Sequence, residues 1–162
     1  MKVIFLDVDG VLNSESDLIA YRQKNNIEGC IFYGEVVDRP LRLLKEIVDY
    51  TDAKIVVTSS WRIGCKRKDG QIVGGKQYTK LTNRLKEYDM DIYDITPHLR
   101  NMDRGDEIRE WLLNNPVDNF IILDDDTDMC EFLHTDHFIK TTYKYGLTEE
   151  LKDKSIRNLN RN

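Results

Sequence analysis

The chain opens with an uninterrupted apolar run, Val3 to Leu6, which ends in two aspartates, Asp7 and Asp9, followed by Gly10. Four successive apolar residues predict a strand that is buried on both faces, as strands are in the interior of parallel sheets. Such a strand gains no stability from two carboxylates at its end, because ionised carboxylates are costly to remove from water. The run therefore predicts an α/β fold in which Asp7 and Asp9 serve chemistry.

Strand-like and helix-like segments alternate after this first strand. Alternation of this kind favours an α/β, Rossmann-like, open and mostly parallel sheet with helices on both faces. Further strands are predicted at 54–57, 91–95, 120–123 and 137–140, a short helix at 128–134, and longer helices that Asp38, Thr79, Asp103 and Thr148 begin or cap.

Two segments fall outside this alternation. Residues 10–37 show no sustained period and are expected to form a flap or small irregular insertion, so the fold has a minimal cap or none. Residues 62–78 are rich in bases and contain Asp69-Gly70 and Gly74-Gly75, which predict a basic loop or hairpin. With 162 residues, 40% of them hydrophobic, we expect residues 1–162 to form a single domain.

Composition gives further expectations about location. The amino terminus has no pattern of a signal peptide or membrane span, so we expect a cytoplasmic protein without a membrane partner.

The three cysteines, Cys30, Cys65 and Cys130, lack the spacing of a disulfide framework or zinc site. Trp61 and Trp111 are expected in the core.

Charge is distributed unevenly. The formal net charge is −5, yet the segment 62–86 carries eight lysines and arginines against Asp69 alone. Two interpretations stay open: a solvated surface, or a positive field that attracts a phosphate-bearing substrate. Arg62 is equally open between a phosphate ligand and a solvated side chain.

Polar side chains follow three of the predicted strands. Asp7 and Asp9 follow the first strand, Thr58 the second, and Asp124 and Asp125 the fourth. Ligands of open α/β sheets bind at the carboxyl ends of the strands, so these groups should meet at one edge. Carboxylates this close together require a cation, and a cluster of oxygen ligands suits Mg²⁺.

Four motifs in this order resemble the haloacid dehalogenase superfamily of phosphotransferases, from residue 3 to about 147. They are Asp-x-Asp-Gly-Val at 7–11, the hydroxyls of Thr58 and Ser59, Arg104 at the start of a helix, and the acidic cluster 124–128. The resemblance implies an Mg²⁺-dependent phosphomonoester hydrolase that forms an aspartyl-phosphate.

The resemblance also implies catalytic roles for single residues. Asp7 would be the nucleophile, and Asp9 the general acid and base. Asp7, Asp124 and the main-chain oxygen of Asp9 would hold Mg²⁺. Asp125 and Asp128 would orient Arg104 or a metal-bound water.

Phosphoryl oxygens would be bound by Arg104 and by a hydroxyl after the second strand. Which of Thr58, Ser59 and Ser60 faces the phosphate stays open, because a one-residue slip changes the side chain presented.

The segments 58–62, 96–97 and 104–112 resemble small capless members found in nucleic-acid repair contexts. A polynucleotide or nucleotide end phosphate is therefore a candidate substrate, and no obligate protein partner is inferred. Two alternatives stay open: a small-molecule phosphatase such as a nucleotidase, and a non-catalytic binding module that retains the fold.

Overall fold

The computed structural model describes residues 1–28 and 34–161. Strands and helices alternate through most of these residues, as the sequence predicts. The strands are β1 (Lys2–Leu6), β2 (Lys54–Val57), β3 (Lys66–Lys68), β4 (Gln71–Val73), β5 (Ile92–Ile95), β6 (Asn119–Asp124) and β7 (Phe138–Lys140). The helices are α1 (Glu15–Asn25), α2 (Asp38–Thr51), α3 (Lys76–Lys86), α4 (Arg104–Asn114) and α5 (Glu149–Leu159), with 3₁₀ turns at Ser60–Arg62 and Cys130–Phe132.

Five of the strands form one open sheet in the order β5-β2-β1-β6-β7. All neighbouring pairs in it are parallel. The central strand β1 is buried on both faces, because its residues contribute alternately to two apolar clusters. The α/β, Rossmann-like fold predicted from the sequence is confirmed.

The two apolar clusters lie on opposite faces of the sheet. One contains Ile4 and Leu6 of β1 and is covered by side chains from α2, α3 and α5. The other contains Val3 and Phe5 and is covered by Ile108 and Trp111 of α4. Trp61 is also buried, so both tryptophans are core residues as expected.

Residues 10–37 were expected to be irregular, but α1 occupies the middle of this segment, so the expectation is wrong there. Residues 29–33 of the segment lie outside the described part of the chain. The Ser14 hydroxyl caps α1 by accepting the amide N–H of Asp17. Arg39 of α2 donates two hydrogen bonds to the Asp17 carboxylate, at 2.6 and 2.7 Å, and thereby fixes α1 to the body of the sheet.

The predicted basic hairpin is present as β3 and β4, whereas two predicted helix caps are wrong. α2 begins at Asp38 after Val37, and the Asp38 carboxylate accepts hydrogen bonds from Arg84 and Tyr88 instead of capping the helix. Asp103 precedes α4 but makes no side-chain capping bond. Across 1–28 and 34–161, none of the helices has the length and apolar character that crossing a bilayer requires.

Candidate active site

The ends of β1, β2 and β6 bring the predicted site residues to one edge of the sheet. Leu6 is level with Val57 on one side and with Leu123 on the other. The ladder continues beyond the strands, since the Asp7 N–H donates to Leu123 O and the Thr58 N–H donates to Leu6 O. The side chains that follow these strands therefore meet at the carboxyl edge, where open α/β sheets bind ligands.

Three carboxylates form a compact cluster at this edge. Oxygen atoms of Asp7, Asp124 and Asp125 lie within 4.8 Å of one another. Asp7 is 6% exposed and Asp124 2% exposed. One oxygen of Asp124, Oδ1, accepts the N–H of Asp126 at 2.9 Å, whereas the buried Oδ2 has no hydrogen-bond partner. A buried acceptor without a partner beside two other carboxylates fits a divalent cation.

Burial shifts the protonation equilibria of two of these carboxylates. Burial raises the pKa of Asp7 from 3.8 to about 6, although Arg104 and a hydrogen bond from Ser59 lower it. Burial, and then the neighbouring charge of Asp7, raise the pKa of Asp124 from 3.8 to about 7. Removal of both carboxylates from water thus disfavours their ionised forms. These residues fit Mg²⁺, which would replace the lost solvation.

Asp125 belongs to the same cluster, although the sequence analysis placed it outside the metal ligands. Its position depends on Gly10, which has a φ of +71°. A Cβ atom at residue 10 would lie 2.3 Å from Cγ of Asp125, so only glycine leaves room for this carboxylate. The glycine after the two aspartates is therefore required for close approach as well as for its backbone conformation.

Arg104 brings a positive charge close to Asp7. Its Nη1 atom lies 3.9 Å from Oδ1 of Asp7, and this buried donor has no hydrogen-bond partner. Asp128 positions the start of α4, because its Oδ2 accepts the N–H of Arg104 at 3.3 Å and its carbonyl accepts the N–H of Gly105 at 2.9 Å. Asp128 thus supplies the cap expected from Asp103.

The hydroxyls after β2 differ in their surroundings. The Ser59 hydroxyl forms a hydrogen bond with the Asp7 carboxylate that lowers the pKa of Asp7. The Thr58 hydroxyl accepts a hydrogen bond from Thr96, at 3.3 Å. Ser60 is exposed as the first residue of the 3₁₀ turn. Of these three hydroxyls, Ser59 is the one that lowers the pKa of the nucleophile candidate.

Arg62 is a correction, because neither a phosphate ligand nor a solvated side chain describes it. The side chain is buried and forms an ion pair with Glu107 of α4. Its remaining N–H groups donate to main-chain carbonyls of two loops, those of Thr58, Ser59, Thr96 and Pro97. A guanidinium has five N–H donors, and all five are used here. Arg62 therefore joins the two loops to α4.

Two residues that the sequence analysis did not assign to the site hold Asp9. Asn13 donates from Nδ2 to Oδ1 of Asp9 at 2.6 Å, and Trp61 donates from Nε1 to Oδ2 at 2.8 Å. Asn13 also accepts the N–H of Gly10 at 3.0 Å, which fixes its amide. Both oxygens of Asp9 are therefore oriented by buried donors. The sequence gives one signal for these roles: Asn13 closely follows the aspartate motif at 7–11, and Trp61 closely follows Thr58 and Ser59.

An aspartate-rich, metal-compatible site at the carboxyl edge of a Rossmann-like sheet defines the class of this protein as haloacid dehalogenase-like. The chain belongs to the family described as the HAD domain in Swiss Army Knife RNA repair proteins, whose model matches residues 3–151. Comparisons with curated proteins and with solved structures gave no significant match.

Proposed function

We propose that this protein is a Mg²⁺-dependent phosphomonoester hydrolase that acts through an aspartyl-phosphate on Asp7. One observation carries the proposal: two buried groups without partners, Oδ2 of Asp124 and Nη1 of Arg104, are both found beside Asp7. The first is suited to a cation and the second to an anion. A phosphoryl group bound with a divalent ion satisfies both.

The carboxylates of Asp7, Asp124 and Asp125, with the main-chain oxygen of Asp9, would hold Mg²⁺. Bound there, the ion would reduce the repulsion between a carboxylate and an anionic phosphoryl group and stabilise the charge of the transition state. Asp7 then attacks phosphorus as the bond to the leaving oxygen breaks. In the second step water attacks phosphorus, and the bond to Asp7 breaks with release of inorganic phosphate.

Asp9 transfers the proton in both steps. It donates a proton to the leaving oxygen when the ester bond breaks, and it accepts one from the attacking water afterwards. The hydrogen bonds from Asn13 and Trp61 support this role, because they hold the carboxylate in one orientation. A fixed orientation reduces the entropy lost on reaching the transition state.

Two side-chain groups are available to bind the phosphoryl oxygens, the Ser59 hydroxyl and the unpaired Nη1 of Arg104. The dipole of α4 adds a favourable field at its amino-terminal end, where the N–H groups of Arg104 and Gly105 are already bonded to Asp128. Thr58 remains a candidate donor through its hydroxyl hydrogen.

The family assignment bears on the choice of substrate, because the description of the family names RNA repair proteins. We propose a terminal phosphate of a nucleic acid as the substrate class. A phosphorylated oligonucleotide should then be a better substrate than a nucleoside monophosphate or a sugar phosphate. The reverse order would identify a small-molecule phosphatase such as a nucleotidase.

The test is hydrolysis of a generic aryl phosphate with and without Mg²⁺, followed by the panel of phosphorylated oligonucleotides, nucleotides and sugars. Substitution Asp7→Asn should abolish turnover. Asp126→Asn is the matched control, since this exposed aspartate lies in the same acidic run outside the carboxylate cluster. Unchanged turnover in Asp7→Asn would refute the assignment of Asp7 as the nucleophile. Absence of turnover in the unmodified protein on every substrate would favour a binding module.

A further inference from the structure

The hairpin formed by β3 and β4 has two faces of different character. Its register pairs Lys66 with Val73, Arg67 with Ile72 and Lys68 with Gln71. Cross-strand partners share a face, and neighbours along a strand point to opposite faces. Arg67 and Ile72 therefore lie on one face, while both lysines lie on the other.

The first face anchors the hairpin to the sheet. Arg67 forms an ion pair with Asp94 of β5, and Asp94 also accepts the indole N–H of Trp111 at 2.8 Å. Ile72 is partly buried on the same side. The hairpin is thus attached to the edge strand in one orientation, with Lys66 and Lys68 facing away from Asp94.

The second face presents unpaired positive charge. Lys66 and Lys68 are exposed, and neither forms an ion pair with any carboxylate in 1–28 or 34–161. The adjoining strand contributes Gln71 and Val73, which are also exposed and carry no negative charge. Among the described residues, no carboxylate on this face or beside it forms an ion pair with the two lysines.

A shallow, open groove adjoins this face along α3. It has a volume of about 650 Å³, and none of the described residues that line it carries a carboxylate. Lys76, Lys80 and Arg84 recur at intervals of four residues and so share one side of the helix. Lys80 and Arg84 are paired with acids outside the groove, whereas Lys76 is exposed and has no ion-pair partner among the described residues. The lining residues are Gly74, Gly75, Lys76, Thr79, Lys80, Asn83 and Arg84.

This surface is connected to the candidate active site by a short, fixed segment. Ser59, which bonds to Asp7, caps the 3₁₀ turn that ends at the buried Arg62. The N–H of Cys65 then donates to the carbonyl of Arg62 at 3.0 Å, directly before β3 begins. The hairpin is therefore connected to the segment that carries Ser59 through a turn held by main-chain hydrogen bonds and by the buried Arg62.

We infer that the hairpin face carrying Lys66 and Lys68, together with the α3 groove, forms a docking surface for the phosphodiester backbone of a single-stranded nucleic acid. This inference rests on the proposed function, in which the terminal phosphate of that strand enters the site. Charge complementarity supports it, because the residues outside 62–86 carry 16 bases against 28 acids and repel a polyanion. Lysines contact phosphates as point charges, so binding should not depend on base sequence.

The test measures binding separately from catalysis. Fluorescein-labelled single-stranded RNA and DNA oligonucleotides with a terminal phosphate are titrated by anisotropy with protein carrying Asp7→Asn, which prevents turnover. The test variant adds Lys66→Gln, Lys68→Gln and Lys76→Gln. The control variant instead adds Lys54→Gln, Lys154→Gln and Arg157→Gln, which remove the same charge from the start of β2 and from α5.

Three phosphate contacts predict a specific salt dependence. For a single strand the slope of log K against log salt is about −0.7 per contact, so a fourfold rise in salt should weaken binding roughly 20-fold. The test variant should bind about tenfold or more weakly at low salt and should lose most of this slope. The control variant should match the parent protein in both measurements.

The outcomes separate this inference from the proposed function. Lysine-dependent binding without any phosphatase activity would refute the proposed function and support the surface. Phosphatase activity with equal oligonucleotide binding by the test and control variants would refute the surface alone. Binding to vesicles containing anionic lipid that requires the three lysines, with no oligonucleotide binding, would assign the surface to a membrane and overturn the inference.

Discussion

Substitution Asp124→Asn should make the metal-free protein more stable at neutral pH, although it removes a proposed metal ligand. Burial and the neighbouring charge of Asp7 raise the pKa of Asp124 from 3.8 to about 7. The buried Oδ2 atom of Asp124 has no partner that would offset the lost solvation. A neutral amide of the same size avoids this cost and retains an oxygen that can accept the N–H of Asp126.

The pH window follows from the direction of the pKa change. Between pH 3.8 and about 7, the folded protein keeps a proton on Asp124 that the unfolded chain releases. The contribution of this group to stability is therefore fully present below pH 3.8 and is lost as the pH rises through about 7. At about 1.4 kcal/mol per pH unit, the loss is about 4 kcal/mol, an upper bound because Asp7 titrates together with Asp124.

The assay is thermal unfolding of both proteins from acid to neutral pH in the presence of a chelator. For a chain of this length, 1 kcal/mol corresponds to roughly 2–4 °C in Tm, so the variant should exceed the parent by up to about 15 °C at neutral pH. The two should converge in acid. Added Mg²⁺ should close most of this gap, because a concentration of 1,000 times Kd stabilises the parent by about 4.1 kcal/mol, whereas the variant has no complete site.

Asp126→Asn serves as the control for general charge effects, since Asp126 is exposed. Its Tm difference from the parent should be small and independent of Mg²⁺. A parent protein that stays more stable than Asp124→Asn at neutral pH without metal would refute the reasoning that buried, unpaired charge destabilises this site.

Three further predictions concern neighbouring groups. Trp61→Phe should lower kcat/KM roughly 10- to 100-fold for an alkyl phosphate, whose leaving oxygen needs a proton from Asp9. For an aryl phosphate, whose phenolate leaves without a proton, the loss should be about threefold or less, and equal losses would refute the orientation of Asp9 by the indole. Glu107→Gln should destabilise the protein by about 3–5 kcal/mol in urea unfolding, because it leaves the Arg62 charge buried and unpaired; a loss below about 1 kcal/mol would refute this role of the pair. Gly10→Ala should displace the Asp125 carboxylate, so the rise in Tm on adding Mg²⁺ should shrink; an unchanged rise would exclude Asp125 as a ligand.

The sheet could be predicted because its strands are apolar runs with clear ends. β2 matches the predicted 54–57, and β1 extends the predicted strand by one residue. The apolar residues of β1, β2 and β6 are buried on both faces of the sheet, and that environment accounts for their composition. The motif residues follow these strands, so their convergence on one edge also followed from the sequence.

Helix α1 could not be predicted from periodicity, because it buries almost no apolar surface. Asp17 and Leu18 are its buried residues, so the sequence contains no apolar stripe. The helix is held instead by the Ser14 cap and by the ion pair of Asp17 with Arg39. That ion pair joins residues 22 positions apart, and a pattern within one helix cannot reveal it.

The environment of Arg62 could not be predicted from the sequence, for a related reason. A guanidinium directly after a phosphate-binding motif has the same sequence signature whether it faces a ligand or the interior. Its burial depends on Glu107, 45 positions away, and on carbonyls of a loop more than 30 positions away. Contacts across such separations arise only when the sheet has brought the strand ends together.

The Arg62–Glu107 pair also explains how the candidate phosphate-binding groups keep a common geometry. Arg62 binds the carbonyls of Thr58 and Ser59, and Glu107 lies one helical turn after Arg104 on α4. A single buried ion pair therefore joins the segment that carries Ser59 to the helix that carries Arg104. Because breaking the pair would leave a buried charge uncompensated, the two segments resist moving apart. The pair thus holds these two candidate phosphate-binding groups beside Asp7 at fixed positions before any phosphoryl group binds.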